Sequence, residues 1–519
     1  MVPTIDLNAL APHQDVAADI CIVGGGAAGL YLTRQLAQAG KNVVLLEAGP
    51  AWGAAASEAD FECSMDARHY SGASSGRFFG LGGTTTHWGG LLVPHAEHDV
   101  KDDDPTAWAW RHVVSAVEAR AAAVLADLGY KGGADFETWP ATYNPTLVKS
   151  LLQVGIKTIA SLHLPFRRKN FVVLLEANAV LRNQPQVYIG AVAKTWEGAH
   201  HSARYRIRSL VGVSRNGNQI RITADHFVVA AGALESARIL LEINAGAENR
   251  ALRTGAAPGC YLTDHVSVPI AEVPQGALKA AAEFFGPRFM GPWMRSLRFI
   301  DLNARLAPTR SFTHFNFIDR SAGFEVARKC MQALQKRRLP DVRAVDVLRG
   351  AADVIQLGGM RFLRSRLHIP RSAQVQLQLD VEQTPVRENG IRLTDNMDKH
   401  GRRIPAVRWS ISHTDEASIK AAASRFVKVW PGEAAGLPRL VPCQLEATGE
   451  KLYDAYHPVG ATKMGETAEA VVDRDLKVWG TDNLYVASTG VLPSAGSANP
   501  TFSMLCLAHR LAEKLATCH

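Results

Sequence analysis

Residues 18–49 read ADICIVGGGAAGLYLTRQLAQAGKNVVLLEAG, and this stretch decides the fold. DICIV is a short apolar strand that runs directly into three glycines, and AAGLYLTRQLAQAG has the apolar spacing of a helix that ends at Gly40. NVVLLEAG is a second apolar strand. A strand, a glycine turn, a helix and a second strand make a βαβ unit, which predicts a parallel sheet.

The glycine turn predicts a dinucleotide site. Gly24, Gly26 and Gly29 have the spacing G-x-G-x-x-G between strand and helix: the first permits the tight turn, the second lets backbone approach a pyrophosphate, and the third lets helix and strand pack closely. The helix N-terminus offers N–H groups to the phosphates. Glu47 ends the second strand, where an acidic side chain accepts ribose hydroxyls. The pattern does not separate FAD from NAD.

Length and composition set the broad class. A chain of 519 residues exceeds one hydrophobic core and predicts two domains, or three at most. Its 47% apolar and 20% charged residues are a globular composition. Seven scattered cysteines without a CxxC pair favour a reduced, cytoplasmic location and predict no metal site. The first residues lack the pattern of a signal peptide, and no apolar run reaches 18 residues, so no membrane span is expected.

The chain is basic, with a net charge of +8. Its basic residues are dispersed except in RKCMQALQKRRLPDVR (328–343). No zinc-finger spacing or aromatic RNA-binding signature accompanies that run, so nucleic acid is not an expected partner. The run is either a solvated basic helix or an interaction surface.

Two further segments indicate the organisation of the chain. Residues 205–242 contain a hairpin with Asn216 and Gly217 at its turn, followed by a helix. In AQVQLQLDVEQTP (373–385) glutamines alternate with apolar residues, which predicts a half-buried antiparallel sheet. We therefore predict an α/β chain in which a Rossmann-like domain (1–98, 175–265 and 446–519) is interrupted by an α+β substrate domain (99–174 and 266–445).

Two motifs near the C-terminus carry candidate chemistry. His457 lies in AYHPVGATKMG (455–465), and Asn499 precedes a proline and a helical run in GVLPSAGSANPTFSMLCLAHRLA (490–512). A histidine can accept a hydroxyl proton, and an asparagine can hold the oxygen. Each residue alone is more often structural, as a satisfied loop histidine or a helix-capping asparagine.

Six motifs in one order carry a family resemblance: VGGGAAG with Glu47, GLGGTTTHWGG (80–90), GCYLTDH (259–265), EQTPVRENGIRLTD (382–395), HPVGATKMG and SANPT. Together they resemble the glucose–methanol–choline (GMC) family of FAD-dependent oxidoreductases over nearly the whole chain, with motifs most similar to its pyranose oxidase-like members. The resemblance implies FAD as cofactor and an antiparallel sheet that covers the flavin. It matches His457 to the catalytic base and Asn499 to the second active-site position. One departure is Ala461, where the family usually has threonine; Thr462 follows.

The resemblance also implies which residues contact the cofactor. The expected set is Gly24, Gly26, Ala27, Ala28, Gly29, Glu47, Ala48, Gly82, Gly83, Thr84, His87, Trp88, Val192, Ala231, Gly232, Thr489, Asn499, Pro500 and Thr501. Some relatives bond a histidine in this glycine-rich loop covalently to the flavin, and His87 matches its position. Those relatives have threonine after the tryptophan, whereas Gly89 stands here. His87 is therefore either a covalent tether or a non-covalent neighbour of the flavin.

The expected reaction is oxidation of an alcohol to a carbonyl, with His457 taking the hydroxyl proton and flavin N5 the hydride. A face of Gln374, Gln376 and Gln378 favours a sugar, glycoside or polyol, unless that face is merely solvated. The basic run and GGMRFLRSRLHIP (358–370) favour the alternative of a lipophilic alcohol met by peripheral contact with a membrane. The resemblance also leaves open a hydroxynitrile lyase-like reaction without net redox change. The sequence does not identify the electron acceptor.

Overall fold

Two large β-sheets organise the chain. The computed structural model describes residues 3–176, 181–303, 309–319, 321–337, 339–444 and 452–518. The strands are β1 (Thr4–Asp6), β2 (His13–Val23), β3 (Val43–Leu46), β4 (Ala54–Ala55), β5 (Ser64–Met65), β6 (Phe78–Phe79), β7 (Leu91–Leu92), β8 (Ile156–His163), β9 (Gln186–Ile189), β10 (Val192–His201), β11 (Arg204–Val213), β12 (Gln219–Val229), β13 (His265–Val273), β14 (Arg288–Met290), β15 (Trp293–Asp301), β16 (Ser311–Ile318), β17 (Gln374–Glu382), β18 (Gly390–Met397), β19 (Arg403–Arg408), β20 (Val441–Pro442), β21 (Tyr453–Asp454) and β22 (Leu484–Val486).

The α-helices connect and cover these strands. They are α1 (Ala27–Gln38), α2 (Ser71–Ser74), α3 (Ala107–Asp127), α4 (Trp139–Tyr143), α5 (Pro145–Gln153), α6 (Phe166–Lys169), α7 (Gly232–Gly246), α8 (Leu278–Phe285), α9 (Ala322–Lys336), α10 (Ala344–Arg349), α11 (Ala351–Arg364), α12 (His413–Val429) and α13 (Pro500–Thr517).

The first sheet, the dinucleotide sheet, has the strand order β1-β9-β3-β2-β12-β11-β10, with β22 paired to the far end of β12. β2, β3, β9, β12 and β22 run parallel, as the βαβ pattern predicts, and β10 and β11 add an antiparallel hairpin. Gly24 has φ +109°, a turn conformation that L side chains rarely adopt. A Cβ on Gly29 would lie 1.8 Å from the carbonyl oxygen of Gly24, so only glycine lets α1 begin this close to the turn.

The second sheet is antiparallel and has the order β20-β13-β17-β16-β15-β8-β7, with β14 on β15 and β21 on β13. Cross-strand partners share a face of a sheet, and one face of β17 packs Val375, Leu377, Leu379 and Val381 into an apolar core. The opposite face, here called the polar face, carries Ser161, His163, His265, Ser267, Ser296, Arg298, His314, Gln378, Asp380 and Glu382.

Most elements lie in the sheet or layer expected from the predicted domain boundaries, but some elements do not. β7 and β21 come from segments that the sequence assigns to the cofactor domain, yet both pair in the second sheet. Conversely, α3 lies in the segment 99–174, assigned to the substrate domain, but packs on α13 beside the dinucleotide sheet. The reason is its apolar stripe at helical spacing, Trp110, Val113, Val117 and Val124, which joins the same core as α13.

The basic run 328–343 begins in α9, and α9, α10 and α11 pack together as a helical layer. Within the described ranges, every helix is too short or too polar to cross a bilayer. None of the seven cysteines, all within the described ranges, forms a disulfide.

Candidate active site

A cleft follows the carboxyl ends of the parallel strands, where open α/β sheets bind ligands. Its lining comes from the turn after β2, the end of β3, the loop around residues 72–88, the turn after β12, and residues 487–505. The empty volume, counted to the open mouth, is about 1410 Å³. The predicted residues that line it are Gly24, Gly26, Ala27, Ala28, Glu47, Ala48, Gly83, Thr84, Trp88, Ala231, Gly232, Thr489, Pro500, Thr501 and the candidate base His457.

The remaining predicted residues, Gly29, Gly82, His87, Val192 and Asn499, lie outside that lining. Gly29 faces the preceding turn, as its contact with the Gly24 carbonyl requires. Val192 is buried in a small apolar cluster, while its two alanine neighbours in the chain face the cleft. Alternation along the strand explains that difference.

The shape of the cleft fits a dinucleotide. A Cβ on Gly26 or on Gly232 would have no protein atom within 4 Å, so each glycine leaves room beside a helix N-terminus. Backbone N–H groups at a helix N-terminus attract phosphate. Gly83 brings the loop onto the turn, because a Cβ there would lie 3.0 Å from the Cα of Gly26.

Glu47 is buried at the end of β3, and its carboxylate organises the cleft backbone. One oxygen accepts the N–H of Gly25 (2.7 Å), and the other accepts the N–H groups of Gly49 and Gly80 (2.8 Å each). A carboxylate has about four acceptor positions. Glu47 thus joins both glycine-rich loops and retains capacity for a ribose hydroxyl.

The stretch GLGGTTTHWGG forms a short 3₁₀ turn over residues 83–86, which Gly82 begins with φ +97°. The imidazole of His87 stacks on Phe78, with ring centroids 3.5 Å apart, and its Nδ1 lies 2.7 Å from the Thr86 hydroxyl. Phe78 lines the cleft, whereas His87 does not. The indole N–H of Trp88 donates to the carbonyl of Lys169, which fixes the end of the loop.

His457 is held by its own backbone. Its N–H donates to both carboxylate oxygens of Asp264 (2.9 Å each), and Asp264 also accepts the Tyr70 hydroxyl (2.6 Å). The preceding Tyr456 has φ +60°, a strained conformation for a non-glycine residue. A Cβ on Gly460 would lie 2.1 Å from the Tyr261 carbonyl oxygen, so the glycine of HPVG permits this packing. The imidazole reaches the cleft.

A chain of hydrogen bonds sets the proton positions on the imidazoles. His265 Nε2 lies 2.9 Å from the Gly496 carbonyl oxygen, which only accepts, so Nε2 carries the proton and Nδ1 holds a lone pair. His457 Nδ1, 3.1 Å from that Nδ1, must donate to it. This assignment leaves the lone pair of neutral His457 on Nε2, 2.7 Å from the Asn499 amide nitrogen.

Asn499 has no side-chain capping bond to α13, although it occupies the N-cap position. Its oxygen instead accepts from Arg298 Nη2 (2.5 Å), which directs its NH₂ group at His457. Arg298 is buried on the polar face, stacks over Phe312, and has its Nη1 without a hydrogen-bond partner in the described structure.

Sequence reasoning identified neither Arg298 nor His265 as a site residue. His265 ends the quoted motif GCYLTDH, and Arg298 stands in the otherwise largely apolar strand segment SLRFID (296–301), where a charge signals a buried partner. Their partners lie about 200 residues away in sequence, so only the fold joins them.

Burial sets the charge state of these groups. Burial and the neighbouring His265 lower the pKa of His457 well below its usual value, and burial lowers the pKa of His265. Both imidazoles are therefore neutral at neutral pH, as the hydrogen-bond directions require. Burial lowers the pKa of Arg298 to about 10, which keeps it charged. Burial raises the pKa of Asp264 to about 8, although the hydrogen bonds that Asp264 accepts from N–H and O–H groups act to lower it.

Asp264, His265 and His457 also have the composition of a metal site, with ligand-type atoms within 4.8 Å of one another. These atoms are already engaged in the hydrogen bonds described above. The prediction of no metal stays a prediction.

The glutamines of β17 have unequal environments. Gln374 is exposed, Gln376 bonds to Glu272 (3.1 Å), and Gln378 is buried with its amide donating to the Tyr453 hydroxyl (2.8 Å). The face is therefore not simply solvated. From Gln378 it continues to Asp380, which accepts the Ser267 hydroxyl and lies 3.3 Å from His314 Nδ1.

Two parts of the chain match models of known protein families. A family model described as GMC oxidoreductase matches residues 385–508, and one described as NAD(P)-binding Rossmann-like domain matches residues 22–76. A C-glycoside 3-oxidase of Arthrobacter globiformis is 32% identical over 121 residues, which are 23% of this chain and 22% of that protein. One of Microbacterium trichothecenolyticum is 31% identical over 123 residues, 23% of each chain. The matched part thus spans less than a quarter of these curated relatives.

Solved structures show the same fold over nearly the whole chain. Pyridoxine 4-oxidase from Mesorbium loti superposes with a TM-score of 0.58 at 16% identity, covering 96% of this chain and 99% of that one. A formate oxidase from Aspergillus oryzae RIB40, studied for modification of its FAD, gives 0.54 at 14% identity, covering 96% and 98%. Residues 385–508 thus match the GMC oxidoreductase family, and nearly the whole chain shares the fold of these two oxidases.

Proposed function

We propose that this protein is an FAD-dependent enzyme that oxidises an alcohol to a carbonyl compound. The observation that carries the proposal is the hydrogen-bond chain from Gly496 through His265, His457 and Asn499 to Arg298. In this chain neutral His457 holds its Nε2 lone pair beside the amide N–H donor of Asn499. That pair has the chemistry needed to bind and deprotonate a hydroxyl group.

The substrate hydroxyl takes the place of the direct contact between His457 and Asn499. Its proton goes to His457 Nε2, while its oxygen accepts the Asn499 N–H, so the reacting carbon is oriented by two bonds. Arg298 keeps the amide in this orientation. FAD, when bound in the cleft by the residues named above, supplies the acceptor for the hydride that leaves the carbon.

A sugar, glycoside or polyol is the proposed substrate class. The polar face beside His457 and Asn499 presents hydroxyl, amide, imidazole and guanidinium groups, which suit a ligand with several hydroxyls. The C-glycoside 3-oxidase relatives, matched over less than a quarter of their length, support the same class.

We further propose His87 as the residue that would hold FAD covalently. Its support is the THW sequence and its position next to Trp88, which lines the cleft. The His87 ring is stacked on Phe78, which itself lines the cleft. Acid precipitation tests this: we expect a yellow pellet from the wild type and a colourless one from His87→Ala. A colourless wild-type pellet would make His87 a non-covalent neighbour.

Anaerobic mixing with a panel of sugars, glycosides, polyols and long-chain alcohols tests the main proposal. We expect a polyhydroxylated compound to bleach the flavin, and His457→Ala to lower that rate by about 10²-fold or more while FAD stays bound. His201→Ala, at an exposed hairpin position, is the matched control and should reduce at the wild-type rate. Bleaching only by long-chain alcohols would replace the substrate class. Cyanohydrin cleavage without bleaching would replace oxidation by a lyase reaction.

A further inference from the structure

The helices α10 and α11 expose apolar side chains to an unusual degree. Among the described residues, fifteen large apolar side chains are exposed, and nine of them lie within residues 334–363. Neither helix has a single buried residue. Soluble surfaces rarely concentrate apolar side chains in this way unless the patch binds something.

Apart from Leu339, the most exposed of these side chains lie in α10 and α11. Leu348, in α10, is 77% exposed. Ile355 and Phe362 stand seven residues apart in α11, about two turns, and are 74% and 79% exposed. Leu363 lies next to the last of them. We call this group, with Arg349 and Arg364, the outer helical surface. Its side chains are exposed, and both helices pack on α9.

Positive charge is concentrated in the same segment. Residues 321–366 hold ten Lys and Arg against four Asp and Glu, which accounts for six of the eight net charges of the whole chain. Arg349 and Arg364 are exposed and form no ion pair within the described residues. An apolar stripe flanked by arginines matches the interface of an anionic bilayer, whose headgroups attract cations while the apolar groups enter the acyl boundary.

A second copy of this chain is a poorer match. A symmetric dimer through this surface would bring two strongly positive segments together, with repulsion in place of complementarity. An anionic lipid surface supplies the missing negative charge.

The helical layer is fixed to the rest of the protein by α9. Gln335, buried near the end of α9, donates to the carbonyl oxygens of Thr85 and Trp88 (3.0 Å each). Arg337 pairs with Glu176. The loop of the cleft is therefore one helix away from the outer helical surface.

We propose that the outer helical surface is a peripheral membrane-binding site that docks this protein on anionic lipid bilayers. The binding is reversible and lies in the plane of the interface. It is independent of the proposed reaction, since none of its residues contacts the cleft.

Co-flotation with vesicles tests the proposal on the full-length holoenzyme. Vesicles of phosphatidylcholine and phosphatidylglycerol in equal parts should carry the protein, and vesicles of phosphatidylcholine alone should not. Raising NaCl from about 0.1 M to about 1 M should release it, since salt screens the arginines. The double variant I355S/F362S should bind at least about tenfold more weakly, because it loses two inserted side chains.

The matched control is L152S/M397S, which alters side chains 54% and 60% exposed on other elements and should float like the wild type. Both variants should keep wild-type flavin content and solution activity, which shows that they are folded. Equal flotation of I355S/F362S and wild type would refute the proposal, as would no flotation of the wild type. A wild-type dimer in light scattering that I355S/F362S dissociates would assign the surface to a second copy instead.

Discussion

His457 can act as a base only while its Nε2 lone pair is free of a proton. Burial lowers its pKa well below 6.5, so the imidazole is neutral above that lowered pKa and protonated only in more acidic solution. We expect kcat/KM to be flat across neutral pH and to fall only on the acid side of 6.5. Steady-state rates between acid and neutral pH, with stability checked at each point, measure this. An acid limb centred above 6.5 would contradict the assigned environment.

His265 is a positioning residue in this scheme, because its Nδ1 accepts the hydrogen bond that the Nδ1–H of His457 donates. We expect His265→Ala to slow flavin reduction at least about tenfold, since it removes the group that fixes the tautomer. It should also move the acid limb to higher pH, because His265 contributes to lowering the pKa of His457. A purely structural role would lower activity without moving that limb. His200→Ala, on the exposed hairpin, is the control.

Arg298 orients the side-chain amide of Asn499. Replacing Arg298 should therefore affect this amide and not the other contacts that bind the substrate. We expect Arg298→Leu to lower kcat/KM by about tenfold to hundredfold, because the amide is then free to turn its oxygen toward His457. The Asn499→Ala variant should cost about as much, and the double variant little more, since both remove one interaction. Additive losses in single-turnover kinetics would show that the two residues act separately.

The sequence predicts residues whose role is local better than residues whose role depends on the fold. Gly24 and Gly29 are required by the turn that contains them, and their spacing alone indicates it. Asn499 has the sequence context of a helix cap, yet its side chain serves the distant His457 and Arg298. No local pattern reports a bond such as that between Arg298 and Asn499, which are 201 residues apart.

At the scale of elements, two glycines at the junction of β2 and α1 have different roles: one leaves room for the cofactor, and the other is needed for stability. We expect Gly26→Ala to weaken FAD binding while the apo-protein melts at its wild-type temperature, because the new Cβ meets no protein atom. Gly29→Ala should destabilise the protein, since its Cβ would overlap the Gly24 carbonyl oxygen. Titration of apo-protein with FAD and thermal melts of both variants measure this pair. Unchanged FAD affinity in Gly26→Ala would place the pyrophosphate elsewhere.

Strands, helices and turns were predicted correctly where one short segment of sequence contains the whole pattern. The βαβ unit and the hairpin at Asn216 and Gly217 follow from short-range patterns, and both form as expected. The position of α3 does not, because its apolar stripe fits any complementary face and α13 supplies that face from the other end of the chain. Periodicity predicts that a helix buries one side, but not against what.

For the whole molecule, several buried histidines tie stability to pH. Burial lowers the pKa values of His95, His163, His265 and His457, that of His163 to about 3. A folded-state pKa below the unfolded value gives stability that is present above about pH 6.5 and is lost as the pH falls. His163 alone should cost about 2 kcal/mol of unfolding free energy at pH 5. The raised pKa of Asp264 has the opposite sign, but it is one group against several, since burial also lowers the pKa of His98.

We therefore expect the unfolding midpoint in denaturant to fall between pH 7 and pH 5, and His163→Gln to flatten that fall by removing one of these groups. Equilibrium unfolding at several pH values measures both. A midpoint that stays constant from pH 7 to pH 5 would contradict the burial of these imidazoles.

The cleft draws its walls from residues 24–48 and from residues 487–505, and β12 completes its pairing only with β22. A ribosome adds about 5–20 residues each second, so on the order of half a minute or more separates the synthesis of these two walls. During that interval the nascent chain holds half of a nucleotide cradle with apolar strand edges exposed. The second wall, residues 487–505, must therefore be present before the cleft can enclose a cofactor.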